Sequence, residues 1–401
     1  NAYNQLLIEG YIYSIEKKGY YVNEIDFPIH SLHIPPMIEQ KPTQKYLIDL
    51  KSNSILPKNF PFSTWAKLTR EVLSTQDQSL LTRLDQNGSY ILRKAICHHL
   101  YSFAGMNVLP QQIIIGAGTE YLYNLVIQLL GRDYTWALEN PGHQSISKVY
   151  KLNQVPIEYI PLDSSGLDIQ YLQSSQAKFI HISPAHHYPT GITMPIKRRS
   201  EILNWAARHN AYIIEDDYDS ELRLDGNPIP SLFQIDKNER VIYMNTFSKT
   251  LAPSFRISYM VLPTHLVSLY QEKLGFYACS VSSFEQIVLA HFIEKGYFEK
   301  HINRLRNSYK TLRNEFLAQL ESSPLSSIVK IKEENAGLHF LLQFPDNYND
   351  QDLLDKANQL GLHISTLSNF YHIPFKSHTL VINYSGLPYD HIKLAIELLE
   401  K

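Results

Sequence analysis

A chain of 401 residues with 44% hydrophobic and 19% charged side chains is long enough for two globular domains with sizeable cores. With a net charge of −2, nothing in the bulk composition points to nucleic acid or anionic membrane as a partner for most of the chain. Two distant cysteines, Cys97 and Cys279, make no metal-type spacing, and no apolar run reaches the length of a membrane span; a cytoplasmic, reducing setting follows.

The opening NAYNQLLIEG carries apolar residues at helical spacing, and YIYSIEKKGYYV reads as two short strands around a charged turn. These pieces, residues 1–22, are too small to hold a core. Because a helix-like pattern begins at Asn1, the chain reads as part of a longer protein. Residues 23–45 contain prolines and little periodicity, and read as a linker.

From Tyr46 onward, short apolar strands alternate with amphipathic helices. Strands are expected at QIIIG (112–116), TWALE (135–139), VPIEYI (155–160), KFIHI (178–182), AYIIED (211–216) and VIYMNT (241–246). Helices fall between them, as at 119–130 and 196–209. This alternation implies an α/β domain with a mainly parallel sheet covered on both faces, and a ligand site beyond the carboxyl ends of its strands. From about residue 293, a long helix (298–322) and the strand-like AGLHFLLQF and TLVINYS indicate a second, α+β domain.

Four segments at strand ends carry chemistry. GAGTEYLYNL (116–125) is a strand entering a glycine turn and a helix, where backbone N–H groups of Ala117, Gly118, Thr119 and Glu120 can face an anion. The plain alternative is an ordinary strand-to-helix turn. In IIEDDYDSELR (213–223), a carboxylate at a strand end can pair with a protonated ring nitrogen, bind a metal or cap a helix. TFSKTLAPSFRIS (246–258) places Lys249 as an amine nucleophile, with Phe247, Leu251 and Phe255 to lower its pKa, and Arg256 for a phosphate. SPAHHYPTG (183–191) holds adjacent histidines that point opposite ways on an extended segment, so no shared metal is expected.

Phosphate cradle, acidic partner, amine and phosphate arginine, in this order, resemble the fold-type I aminotransferases that use pyridoxal 5′-phosphate. The resemblance spans 46–401. It implies a large domain (46–292, with 46–80 partly an N-terminal arm) built on a seven-stranded, mainly parallel sheet, and a smaller C-terminal domain (293–401). Lys249 would be the Schiff-base lysine and Asp216 the partner of the pyridine nitrogen. Tyr218 would reach the ring hydroxyl, and Ala117, Gly118, Thr119, Thr246 and Arg256 the phosphate. His143, in NPGHQ, stands where an aromatic ring usually stacks on the cofactor, and Tyr188, in YPTG, replaces the usual asparagine. Arg83 falls where the family often has a tyrosine reaching the partner subunit's phosphate.

This variant looks like the subgroup fused to DNA-binding domains, and AYNQLLIEGYIYSIEKKGYYV resembles the recognition-helix tail and wing of a GntR-type winged helix. Together they resemble the MocR/GabR transcriptional regulators, which implies a homodimer. DNA contact would come through the part of the winged helix that lies outside this chain. In active aminotransferases an arginine near the C-terminus holds the substrate carboxylate; in LVINYSGL that position is Val381, and Lys376 is a possible substitute. The implied role is to sense pyridoxal phosphate itself, or an amino acid, through an aldimine on Lys249. A working aminotransferase on a 2-amino acid is the alternative, and a lyase is weaker.

Overall fold

The computed structural model describes residues 2–24, 46–52, 54–75, 77–226, 229–333 and 337–401, so most of the expected linker lies outside the described residues. Two compact units are present, residues 1–45 and 46–401. In the first, the helix Ala2–Ile8 is followed by an antiparallel hairpin, Ile12–Ile15 with Gly19–Val22, in the register Ile12↔Val22. Lys17 and Gly19 take positive φ in its turn. Ring pairs Tyr3–Tyr20 and Tyr13–Tyr21 decorate the hairpin, yet no helix residue is buried, as befits a piece too short to enclose a core.

The second unit is organised by an eight-stranded sheet. In spatial order its strands are Ile113–Gly116, Ser258–Val261, Val241–Thr246, Tyr212–Asp216, Phe179–Ile182, Trp136–Asn140, Ile157–Asp163 and Gly166–Leu167. Most residues of the central strands are buried, which is why they read as continuous apolar runs rather than alternating ones. The helix Thr119–Leu130 buries Leu122, Leu125, Val126 and Leu129, and Ile196–His209 buries Ile202, Leu203, Trp205 and Ala206, each as the apolar stripe its spacing predicts.

The sheet corrects the expected seven strands to eight, the extra one being the two-residue Gly166–Leu167 that folds back on Ile157–Asp163. Ser258–Val261 is also absent from the expected set. It runs antiparallel between Val241–Thr246 and Ile113–Gly116, and no helix announces it: only the short turn Pro253–Phe255 precedes it. That reversal decides where the chemistry sits. Thr246 pairs with Ser258, and Ser258 with Gly116, so the loop carrying Lys249 and Arg256 is pinned at both ends against the glycine turn.

A four-stranded antiparallel sheet, ordered Lys330–Lys332, His339–Gln343, Thr379–Asn383 and Ser365–Thr366, packs on the long helix Tyr297–Glu321 and on Ile392–Leu399. Phe316, Leu320, Phe340, Ile382 and Tyr384 form that core. Ile48–Asp49 adds a parallel partner to Leu362–His363, and Tyr46 stacks on His363 at 4.3 Å.

Candidate functional site

Parallel strands end in register: Ile182 pairs with Glu215 and Met244 with Asp216. Their carboxyl ends open into a cavity lined by Thr119, His143, Tyr188, Asp216, Tyr218, Thr246, Lys249 and Arg256. Eight of the ten expected positions therefore meet there. Ala117 and Gly118 do not line it. Ala117 N–H donates to Ser280 Oγ at 3.0 Å and Gly118 N–H to Gly116 O at 2.9 Å, so two of the four backbone donors expected to face an anion are already engaged.

Gly118 matters for a different reason. Its φ is +94°, and a Cβ there would stand 2.2 Å from Arg256 Nη2. Only glycine lets the guanidinium lie against the turn. Arg256 itself takes φ 51°, which turns its side chain back to Glu120 at 2.7 Å. Glu120 is thus the first residue that sequence reasoning placed otherwise, as a backbone donor. Behind this group, Thr246 Oγ1 joins Ser248 at 3.0 Å and Ser258 at 2.8 Å, a cluster of hydroxyls at the mouth of the lysine loop.

Burial pulls the Lys249 amine down to about 8, against an opposing pull from the Asp219 carboxylate. Its aromatic neighbour is Tyr218, whose ring lies 5.8 Å from Nζ. Phe247 and Leu251, expected to enclose the amine, belong instead to a hydrophobic cluster of the core, with Phe255 packed at its edge. The Tyr218 hydroxyl donates to His186 O at 2.8 Å, and its lone pairs remain able to accept.

Strand alternation separates the acidic run. Glu215 accepts from the N–H groups of Leu232 and Phe233, capping the helix Leu232–Ile235. Asp217 accepts from the Tyr243 hydroxyl at 2.8 Å. Asp216 points into the cavity. Its Oδ2 accepts from Tyr123 at 2.5 Å and lies 3.6 Å from His181 Nε2, while its buried Oδ1 has no hydrogen-bond partner among the described residues. A buried acceptor left open beside a cavity invites a donor from a ligand.

The facing wall comes from elsewhere. Tyr188 packs edge-on to Phe370 at 5.2 Å and near His339 at 5.1 Å, and burial pushes its hydroxyl up to about 12. The His143 ring is 5.8 Å from Tyr188, and its Nδ1 accepts from Ser145 N–H at the head of the helix Gln144–Leu152. Burial, then the nearby Lys249, holds His143 below the ordinary histidine range. Three hydrogen bonds stitch the loop bearing His143 to a C-terminal segment: Gly142 N–H to Phe370 O at 3.0 Å, Gln144 Nε2 to Asn369 O at 3.1 Å, and His372 N–H to Asn140 Oδ1 at 3.0 Å.

The adjacent histidines separate as expected. His186 Nδ1 is 2.9 Å from Asp219 Oδ1, while His187 Nε2 is 3.5 Å from Glu139 Oε2. Burial takes Glu139 up to about 8 and His187 down to about 3, so this second pair is neutral at pH 7. Val381 is buried between Leu341 and Ser365, on the sheet face that carries His339 toward the cavity. Lys376 is exposed and does not line the cavity. Arg83 donates to Phe276 O at 3.0 Å.

The chain matches the family model of aminotransferase class I and II over residues 45–398. The HTH-type transcriptional regulator YdeL of Bacillus subtilis is 35% identical over all of this chain and 87% of its own length. The probable rhizopine catabolism regulatory protein MocR of Rhizobium meliloti is 31% identical over 82% of this chain and 67% of its own. Among solved structures, kynurenine aminotransferase of Pyrococcus horikoshii superposes with a TM-score of 0.79 at 26% identity, covering 89% of this chain and 91% of that one. The chain belongs to the MocR-type transcriptional regulators that carry an aminotransferase class I and II domain.

Pyridoxal 5′-phosphate is the cofactor of this fold class, and the residues present fit it. Asp216 Oδ1 is an open acceptor suited to a protonated ring nitrogen, Lys249 is an amine poised near neutrality, and Gly118 clears space for Arg256, which would face the phosphate. Tyr123, His181, Glu139 and Asp219 were not anticipated as wall residues. The first three lie inside apolar helices and strands, where an isolated polar residue is masked by the core pattern around it.

Proposed function

We propose that this chain is the pyridoxal-phosphate-binding, effector-sensing and dimerisation part of a cytoplasmic MocR-type regulator, whose DNA contacts are completed by winged-helix residues outside it. The signal is the cofactor itself or an amino compound that reaches Lys249. One observation carries this reading: a lysine whose pKa is drawn to about 8 shares a cavity with a buried aspartate oxygen lacking a partner, while position 381 offers valine on the same sheet face as a cavity residue. When bound, the cofactor supplies an aldehyde that condenses with amines and a cationic ring that withdraws electrons. Lys249 would provide the amine, Asp216 would hold the ring proton, and Arg256 with the hydroxyls of Thr246 and Ser248 would face the phosphate.

Turnover on a 2-amino acid is the second reading, favoured by the same Lys249 value, since an amine near neutrality can take up and return a proton. The test is a titration of the purified protein with pyridoxal phosphate, then with amino acids, followed by mass analysis of the cofactor. A visible band lost in Lys249→Ala, with the cofactor recovered unchanged, supports sensing. Recovery as pyridoxamine phosphate with keto-acid release makes the protein an aminotransferase. Absence of any band removes both readings.

A further inference from the structure

We propose that the ligand side of the cavity selects an amine whose far end is cationic, with Asp219 as its partner, and rejects one whose far end is a carboxylate. This deepens the sensing role and rests on it.

The argument is a census of charge. Among the described residues lining the cavity, Lys249 and Arg256 are the lysine and the arginine. Arg256 lies at the glycine turn and is already paired with Glu120 at 2.7 Å. Lys249 is the amine of the site. The other basic groups on the described wall are histidines, of which His181 lies 3.6 Å from Asp216 Oδ2 and is taken up there. Burial takes His339 to about 4 and His187 to about 3, and lowers His372 and His143. These rings present neutral imidazoles.

Four carboxyl groups line the same cavity. Glu120 is held by Arg256, Glu139 is kept protonated up to about 8, and Asp216 faces the end where Tyr123 and His181 meet it. Asp219 remains. It is 1% exposed, lines the wall, and acts electrostatically on Lys249, raising its pKa. Oδ1 is held by His186 Nδ1 at 2.9 Å, which fixes the carboxylate in place. Oδ2 lies under Gly337, where a Cβ would approach within 2.7 Å; only a glycine lets the chain cross here. A fixed, nearly dry carboxylate attracts a cation strongly and repels an anion. Tyr188, Leu338 and His339 complete a wall with an apolar body, suited to a short methylene chain.

Three amines of matched length test this on protein loaded with pyridoxal phosphate: 1,4-diaminobutane, butylamine and 4-aminobutyrate. They differ only in bearing a cation, a methyl group or a carboxylate at the far end. Displacement of the lysine-dependent absorbance band gives each apparent Kd. We expect the diamine to bind at least about tenfold tighter than butylamine and 4-aminobutyrate weaker than both, tenfold being the step that 1.4 kcal/mol of interaction makes. Asp219→Asn should collapse the ranking by weakening the diamine and strengthening 4-aminobutyrate. Should that variant not fold, the wild-type ranking alone decides. Equal affinities for diamine and butylamine, or 4-aminobutyrate as the tightest of the three, overturn the inference while leaving cofactor sensing intact. If pyridoxal phosphate gives no lysine-dependent band at all, the functional reading itself falls, and this inference with it.

Discussion

The edge of the eight-stranded sheet and the wall contributed by the four-stranded sheet face one another across the cavity, and they are built differently. Along the edge, polar groups are set by strand ends and hydrogen-bonded from behind: Asp216 by Tyr123, and Thr246 by Ser248 and Ser258. Along the wall, Leu338 and the neutral ring of His339 dominate, and Val381 lies buried on the same sheet face. The edge sets polar groups of fixed direction, as a cofactor with a phosphate, a ring nitrogen and an aldehyde would demand. The wall imposes fewer directional demands, so it is where relatives with a common cofactor can diverge in what they recognise.

The largest effect should come from removing the amine. Lys249→Ala abolishes the visible band formed with pyridoxal phosphate, measured by absorbance after desalting. In the unaltered protein the rate of cofactor capture rises as pH passes about 8, because the amine is protonated below that value and nucleophilic above it. Asp216→Asn comes next. It weakens cofactor affinity on the order of 10–100-fold, the loss of a hydrogen bond between charged partners, read by fluorescence titration.

Gly118→Ala sharpens the contrast at the phosphate end. The added Cβ displaces the Arg256 guanidinium and forces a β-carbon into φ +94°, at about 1–3 kcal/mol of strain. Affinity for pyridoxal phosphate should drop while capture of pyridoxal, which lacks the phosphate, is unchanged. The last effect is on stability alone, at the neutral pair of Glu139 and His187 in the cavity wall. Glu139 is raised to about 8 in the fold from 4.5, so between those values the folded chain holds a proton that the unfolded chain has released. Stability therefore falls as pH rises through this window. Glu139→Gln keeps an acceptor for Ser183 N–H and removes the dependence, so its melting temperature exceeds that of the unaltered protein at pH 9 and matches it at pH 5.

Much of the edge was legible in the sequence because its residues punctuate apolar runs. Asp216 ends one strand, Thr246 ends another, and Lys249 with Arg256 follows in a single loop. What escaped was whatever depended on direction. Ser258–Val261 has the composition of a strand but only the short turn Pro253–Phe255 before it, which does not mark its direction, and the backbone N–H groups of Ala117 and Gly118, expected to face an anion, donate instead to Ser280 Oγ and Gly116 O. Asp219 stood in the quoted acidic run, yet only the tertiary approach of Gly337 and His186 distinguishes it from its neighbours. Partners separated by long stretches of chain, such as His181 and Asp216, leave no local periodicity to read.

The seam between the loop holding His143 and the segment Asn369–His372 carries a mechanical consequence. Three hydrogen bonds tie two pieces of backbone distant in sequence, and both pieces put a ring into the cavity. The two rings are thereby held on one hydrogen-bonded frame, which joins the strand end at Asn140 to the segment that follows Ser365–Thr366.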